Sequence, residues 1–298
     1  MPISFGGVYP PLVTPFERSG RLDLKAFREN LRGYHAYGLR GYLVTGSSGE
    51  AFSLTLEERV RLIETARRET PADKILLVGT GTQSLQETIR LNQVAASNEA
   101  DAVLVLPPFY YKSAMTHEVL LDYYRSVAKK SKIPVLVYSI PQFTGYSFSV
   151  STVAALSRVK NIAGMKESSG NVSYLSEIID SCSPGFQSLS GSALTFTAAL
   201  GMGAVGGILA LADVAPRECV EIFAAYRRGD FETAIDKQRK VIALGRALTA
   251  RYGIAGLKAG TTLAGFQGGY PRSPLRPLPQ KDQAVIRALF KEMRSNWP

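Results

Sequence analysis

Lys166 ends the run Ile162-Ala163-Gly164-Met165-Lys166, an apolar, strand-like stretch. Side chains on a strand alternate between faces, so Lys166 should share a face with Gly164 and Ser168. A lysine held among apolar walls is desolvated in its charged form, which favours the neutral amine. A neutral amine condenses with a ketone to a Schiff base, and the protonated imine then accepts electrons from a breaking bond. The competing reading is a strand-end lysine that snorkels to solvent, and the local pattern alone leaves both open. Tyr138 ends the preceding apolar run, IPVLVYSIP. A phenol there could carry protons to and from a substrate near Lys166; a packing tyrosine with a hydrogen-bonded hydroxyl is the plainer alternative. Residues 46–50, GSSGE, form a small-residue turn between a strand and a helix. Its backbone N–H groups, including that of Gly49, and the Ser47 and Ser48 hydroxyls could cradle a carboxylate. Such turns are common, so the string is weak by itself. Phe109-Tyr110-Tyr111, after Pro107-Pro108, reads first as aromatic packing in a core or an interface.

These residues need elements to position them, and the chain supplies an alternation. Short apolar or β-branched runs recur at 6–16, 40–50, 74–81, 101–111, 133–141, 162–170, 186–192 and 204–212. Amphipathic stretches lie between them, several with start signals: Thr55 before Glu57-Glu58, and Ser84 three residues before Glu87. Eight strands alternating with eight helices predict a parallel sheet with right-handed crossovers. The count and length favour an α/β fold of the closed (β/α)8 TIM-barrel type over an open doubly wound sheet. Residues 1–228 would form this barrel. Over residues 229–298 the pattern changes to helices at 231–252, 256–266 and 281–295, a three-helix C-terminal extension. In a barrel, chemistry gathers at the C-terminal strand ends, where Lys166, Tyr138 and the GSSGE turn all fall. One literal GxGxxG, Gly201 to Gly206, follows a helical stretch and opens a strand, the reverse of a dinucleotide site.

Composition narrows the functional classes. The chain of 298 residues is 45% hydrophobic and 20% charged, ordinary for a globular protein. Its longest apolar stretch, at 204–215, is broken by glycines and is too short for a bilayer span. Its N-terminus lacks the pattern of a secretory signal, so a cytoplasmic protein that does not engage membranes is expected. Cys182 and Cys219 have no CxxC spacing, and His35 and His117 lie far apart, so no metal site is expected. The net charge of +10 is scattered among acidic residues along the helical stretches, which argues for a solvated basic surface rather than nucleic-acid binding.

Taken together, GSSGE, YSIPQFTG (138–145) and GMKESSGN (164–171) resemble the dihydrodipicolinate synthase/N-acetylneuraminate lyase family. The segments LSGSALTFTAALGMGAVGGI and GLKAGTTLAGFQGGYPRSPL extend the resemblance over essentially the whole chain. It implies a pyruvate-dependent, Schiff-base-forming lyase on a (β/α)8 barrel, with no cofactor beyond the imine on Lys166. By motif, Lys166 would be the Schiff-base lysine and Tyr138 the acid/base phenol above it. Ser47 would link Tyr138 to Tyr110, which in the family reaches into a neighbouring subunit's site. Ser48 with the turn amides would hold the pyruvate carboxylate, and Gly191 and Ile208 would line the pocket through their backbone. A homo-oligomer follows, a dimer or a dimer of dimers.

The departures concern the second substrate. The family's synthases carry an arginine two residues before the glycine of the Tyr138 motif; here that position is Phe143. Losing a charge-assisted contact is worth about 1.5–3 kcal/mol, roughly ten- to over a hundred-fold in transition-state binding. Ser139 also replaces the family's usual Asn. YSxPxxTG together with Ser168 looks more like 4-hydroxy-2-oxoglutarate aldolases and related keto-acid aldolases. The expected reaction is cleavage or formation of a 4-hydroxy-2-oxo acid, giving or using pyruvate and an aldehyde. The alternatives are the condensation of pyruvate with aspartate semialdehyde, an aldolase or dehydratase acting on 2-keto-3-deoxy sugar acids, and a non-catalytic ligand-binding paralogue.

Overall fold

The computed structural model describes residues 3–297. Its strands are β1 (Gly7–Tyr9), β2 (Gly41–Val44), β3 (Ile75–Gly79), β4 (Ala102–Val105), β5 (Val135–Ser139), β6 (Ile162–Glu167), β7 (Gln187–Ser190) and β8 (Gly206–Ile208). The helices are α1 (Leu24–Tyr34), α2 (Leu56–Glu69), α3 (Leu85–Ser97), α4 (His117–Lys130), α5 (Pro141–Thr144), α6 (Val150–Leu156), α7 (Val172–Ser181), α8 (Phe196–Gly201), α9 (Pro216–Arg227), α10 (Phe231–Arg246), α11 (Gly253–Leu263) and α12 (Gln280–Ser295). Polar starts anchor several of them. Thr55 and Glu58 form a reciprocal capping box at α2, and Ser84 accepts from the Glu87 amide at α3.

All eight strands pair in parallel in the order β1-β8-β7-β6-β5-β4-β3-β2. The ring closes where Leu12 N donates to Leu43 O (2.9 Å) and Leu43 N donates to Pro10 O (3.1 Å). The expected (β/α)8 TIM barrel is therefore the fold. Strand residues are buried on both faces, which explains why the runs read as continuous apolar stretches. One face fills the barrel with Tyr9, Leu43, Leu77, Leu104, Leu136, Leu189 and Ile208. The other packs under the helices, with Val78, Val103, Val137 and Met165 among it.

Three helices follow the barrel, as expected, with shifted bounds. The stretch at 231–252 is not one uniform helix: α10 ends at Arg246 and widens into a π turn, Ala247–Arg251. Thr249 Oγ1 donates to Gly245 O there, and Gly253 adopts φ +56°, a break that starts α11 three residues earlier than the periodicity suggests. Among the described residues no helix is long and apolar enough to cross a membrane.

Candidate active site

Lys166 and Tyr138 face each other across the β5–β6 pair, in direct register. That register depends on an irregularity. Val135 pairs with Ile162 but Leu136 pairs with Gly164, so Ala163 is an extra residue in β6. Without this bulge Met165 would stand opposite Tyr138, and Lys166 would be turned to the other face. On its other side, Gly164 lets β7 pack closely against β6, because a Cβ there would fall 2.0 Å from Gln187 O. Lys166 Nζ lies 3.4 Å from the Tyr138 hydroxyl and 4.5 Å from the ring centroid. Both residues are only 5% exposed. The amine therefore points into the barrel beside a phenol rather than snorkelling to solvent.

The GSSGE turn follows β2. Thr45 enters it with φ +53° and its Oγ1 donates to Gly79 O, while Gly49 N and Ala51 N donate to Gly46 O. Thr14 Oγ1 donates to Gly49 O at 2.7 Å. Among the described residues, no acceptor engages the amides of Ser47 and Ser48. Two unpaired N–H groups at the end of a turn, with their own hydroxyls beside them, suit an anionic oxygen pair. Gly49 N is already used within the turn, so of the expected cradle the two serines keep free donors.

Gly191 sits where any side chain would collide with Ser168, a Cβ falling 1.8 Å from its Oγ. Gly191 N donates to Glu167 O at 2.6 Å, which joins the ends of β6 and β7. Ser168 Oγ has no hydrogen-bond partner among the described residues, and Ser168 O accepts from Gln142 Nε2. Ile208 packs inside the barrel beside Tyr9. Ser139 lies on the outer face of β5, away from Lys166, with its hydroxyl unpartnered. Its replacement of Asn therefore does not touch a ligand on Lys166.

Two expected residues stand apart from this group. Phe143, on α5, is 60% exposed, and Tyr110 is 75% exposed with its ring against Tyr111. Gln83 Oε1 accepts from the Phe109 and Tyr110 amides and fixes that loop. Within one chain no hydrogen bond joins Tyr110 to Ser47 or Tyr138 among the described residues. Phe52 packs edge-on against Phe109, so the rim of the barrel mouth carries an aromatic surface.

Sequence reasoning missed the groups behind the turn. Asp213 is fully buried just after β8; its Oδ1 accepts from Val13 N at 3.2 Å, and its Oδ2 has no partner among the described residues. Burial pushes its carboxyl up to about 8, although the Val13 N–H and the Lys166 charge pull the other way. The visible signal was a single acid in the apolar stretch at 204–215. Glu167, beside Lys166 on the outer face, is also raised by burial, while Ser169 N donates to it at 2.7 Å. A cleft of about 260 Å³ lined by Arg40, Asp73, Lys74 and Phe223 opens at the opposite end of the barrel, where strands begin. Its ionic groups include an ion pair, Lys74 Nζ to Asp73 Oδ2 at 3.3 Å. Among the described residues no cluster of three or more His, Cys, Asp or Glu side chains has metal-binding geometry.

Comparison with known proteins identifies the family. Residues 4–293 match the model of the dihydrodipicolinate synthetase family. An uncharacterized DapA-like lyase of Halobacterium salinarum is 36% identical over 287 residues, covering 96% of this chain and 93% of that protein. A 4-hydroxy-tetrahydrodipicolinate synthase of Acidiphilium cryptum is 35% identical over 288 residues, covering 95% and 97%. Among solved structures, the E. coli K12 prophage protein YagE in complex with pyruvate superposes with a TM-score of 0.92 at 27% identity, covering 98% and 99%. Dihydrodipicolinate synthase of Thermotoga maritima gives 0.93 at 29%, with the same coverage. Built around a barrel-mouth lysine and tyrosine, the chain belongs to the dihydrodipicolinate synthetase family and is a carbon–carbon lyase of the class I aldolase type.

Proposed function

We propose that this protein is a Schiff-base-forming, pyruvate-dependent aldolase that cleaves or forms a 4-hydroxy-2-oxo acid. The observation that carries the reading is the buried Lys166–Tyr138 pair at 3.4 Å, next to a turn whose Ser47 and Ser48 amides are free. In cleavage, the Lys166 amine adds to the keto carbon, and the Tyr138 hydroxyl gives its proton to the carbinolamine oxygen, which leaves as water and forms the protonated imine. The resulting Tyr138 phenolate takes the 4-hydroxyl proton as the C3–C4 bond breaks. The aldehyde departs and the bond's electrons pass into the enamine. Protonation at C3 and hydrolysis then release pyruvate and the free lysine. The Ser47 and Ser48 amides, with the Ser48 hydroxyl, hold the substrate carboxylate, and Gly49, whose N–H is spent on Gly46 O, shapes the turn. Ser168, Gly191 and Ile208 line the chamber beside it.

Phe143 at the rim offers no cation to a carboxylate on the aldehyde half, which favours a neutral aldehyde or a dicarboxylate held elsewhere. The second reading is 4-hydroxy-tetrahydrodipicolinate synthase, favoured by relatives that bear that name. It needs another group in place of the arginine. Exposed Tyr110 and the aromatic rim fit a pairing of subunits in which a partner's tyrosine completes the Ser47–Tyr138 relay. The working unit is then a cytoplasmic dimer or dimer of dimers, with no metal or other cofactor.

Borohydride reduction in the presence of pyruvate, followed by peptide mass mapping, tests the reading. A reduced pyruvyl adduct on Lys166, absent from Lys166→Ala, is the expected result, with pyruvate released from a panel of 4-hydroxy-2-oxo acids. A folded protein that forms no adduct in excess pyruvate overturns it and moves a ligand-binding role forward.

A further inference from the structure

Glu50 closes the GSSGE turn in an unusual way. Its backbone adopts φ +54°, ψ +41°, a left-handed conformation that glycine takes freely and that costs other residues of the order of 1 kcal/mol. Its side chain is 1% exposed and reaches away from the turn to the C-terminal extension. One carboxylate oxygen lies 2.5 Å from Lys258 Nζ on α11, itself 1% exposed, and the other accepts from Arg272 N at 2.8 Å. Lys258 Nζ also donates to Tyr270 O at 2.6 Å, and Tyr270 N donates to Phe16 O at 2.9 Å.

A second shell of contacts locks this pair. The Arg272 guanidinium holds Glu58 on α2 with two bonds of 2.6 Å and also donates to Gly20 O and Ser53 O. The Phe16 ring faces both cations, 4.5 Å from Lys258 Nζ and 4.0 Å from the Arg272 guanidinium. The tail motif GLKAGTTLAGFQGGYPR thus supplies one side of a clamp and the GSSGE turn the other. A buried ion pair is rarely better for stability than apolar packing of the same volume. What it supplies here is a fixed direction for Glu50 and so for the turn immediately before it.

Resting on the aldolase reading above, we infer that Glu50 and Lys258 are positioning residues for the carboxylate of the keto acid. Their ion pair holds the turn in the left-handed exit that leaves the Ser47 and Ser48 amides free and convergent. Neither residue touches the reacting atoms. Their loss therefore falls on recognition of the carboxylate more than on the imine chemistry of Lys166.

The test compares borohydride trapping of pyruvate with that of methyl pyruvate, which keeps the ketone and lacks the charge. The full-length protein is used as wild type, Glu50→Gln and the double variant Glu50→Gln/Lys258→Met. The double variant replaces the pair by uncharged groups of similar volume and guards against a single variant that fails to fold. In Glu50→Gln the half-saturation concentration for pyruvate should rise about tenfold, equal to about 1.4 kcal/mol, with a smaller fall in the saturated rate. Methyl pyruvate should change much less, so the preference for pyruvate collapses. The double variant should keep that loss even where its thermal midpoint recovers. Equal losses for both ketones, or an unchanged preference in either folded variant, overturn the inference. Failure of the wild type to trap pyruvate at all instead overturns the aldolase reading on which it rests.

Discussion

Asp213→Asn should stabilise the protein strongly at pH 8 and much less at pH 5. The carboxyl is fully buried, and burial holds it at about 8 against an ordinary 3.8. Between those values the folded chain keeps a proton that the unfolded chain has released. Folding stability then falls as pH rises, by about 1.4 kcal/mol per unit. From pH 5 to pH 8 the accumulated loss has a ceiling of about 4 kcal/mol. Asparagine keeps the oxygen that accepts from Val13 N at 3.2 Å and removes the titration, so its advantage grows over that interval. Equilibrium urea unfolding followed by circular dichroism at pH 5, 6, 7 and 8 reads the difference directly. A stability gap that widens with pH, by at least about 2 kcal/mol over the range, is expected. Parallel curves, or a gap that narrows, would refute the argument that Asp213 is held protonated by burial.

The other expectations concern the chemistry and the clamp. Tyr138→Phe keeps the ring beside Lys166 but removes the hydroxyl 3.4 Å from Nζ. Turnover of a 4-hydroxy-2-oxo acid should fall on the order of a hundred-fold or more, measured as pyruvate release; an unaltered rate would remove its acid/base role. Phe143→Arg places a cation at the exposed rim and should raise the preference for a carboxylate-bearing aldehyde by roughly ten- to a hundred-fold in kcat/KM, read by competition between aldehydes. Glu58 is held below its usual 4.5, chiefly by its hydrogen bonds to Arg272. Its contribution is present above that value and is lost as pH falls through the lowered one. Glu58→Gln should therefore cost about 1 kcal/mol or less near neutrality and flatten the acid limb of the stability curve below about pH 4.5.

The barrel was readable because its strands are buried on both faces and its helices on one, which writes an alternation of continuous and periodic apolar runs. Lys166 was readable as a strand-end lysine with two open readings, and it is the burial of its side chain, at 5% exposure, that removes the solvent-snorkelling one. The bulge at Ala163 was not, since no residue type announces an extra position in a parallel strand, yet it decides whether Lys166 or Met165 faces Tyr138. The clamp on the turn was hidden by distance along the chain. Lys258 appeared only as one letter of a tail motif, and Asp213 as one acid in an apolar run. Their partners, Glu50 and Val13, sit about two hundred residues earlier, and pattern along a sequence carries no information about such pairings. Tyr110 and Phe143 were legible as motif positions, but a single chain leaves both at the exposed rim.

The position of β1 between β8 and β2 also sets a timetable for synthesis. Val13 waits for Asp213, 200 residues downstream, and Glu50 for Arg272, 222 residues downstream. At about 5–20 residues per second, that interval is roughly 10–40 s on the ribosome. During it β1 lacks its β8 neighbour, an open edge of the kind that chaperones cover and aggregation exploits. The site is also finished from its far end. A nascent chain stalled before α11 already contains Lys166, Tyr138 and the GSSGE turn, but the turn still lacks its contacts to Lys258 and Arg272. On the aldolase reading proposed above, proteolysis or premature termination in the tail would therefore leave a polypeptide with Lys166 in place and the turn that is to hold the carboxylate slack.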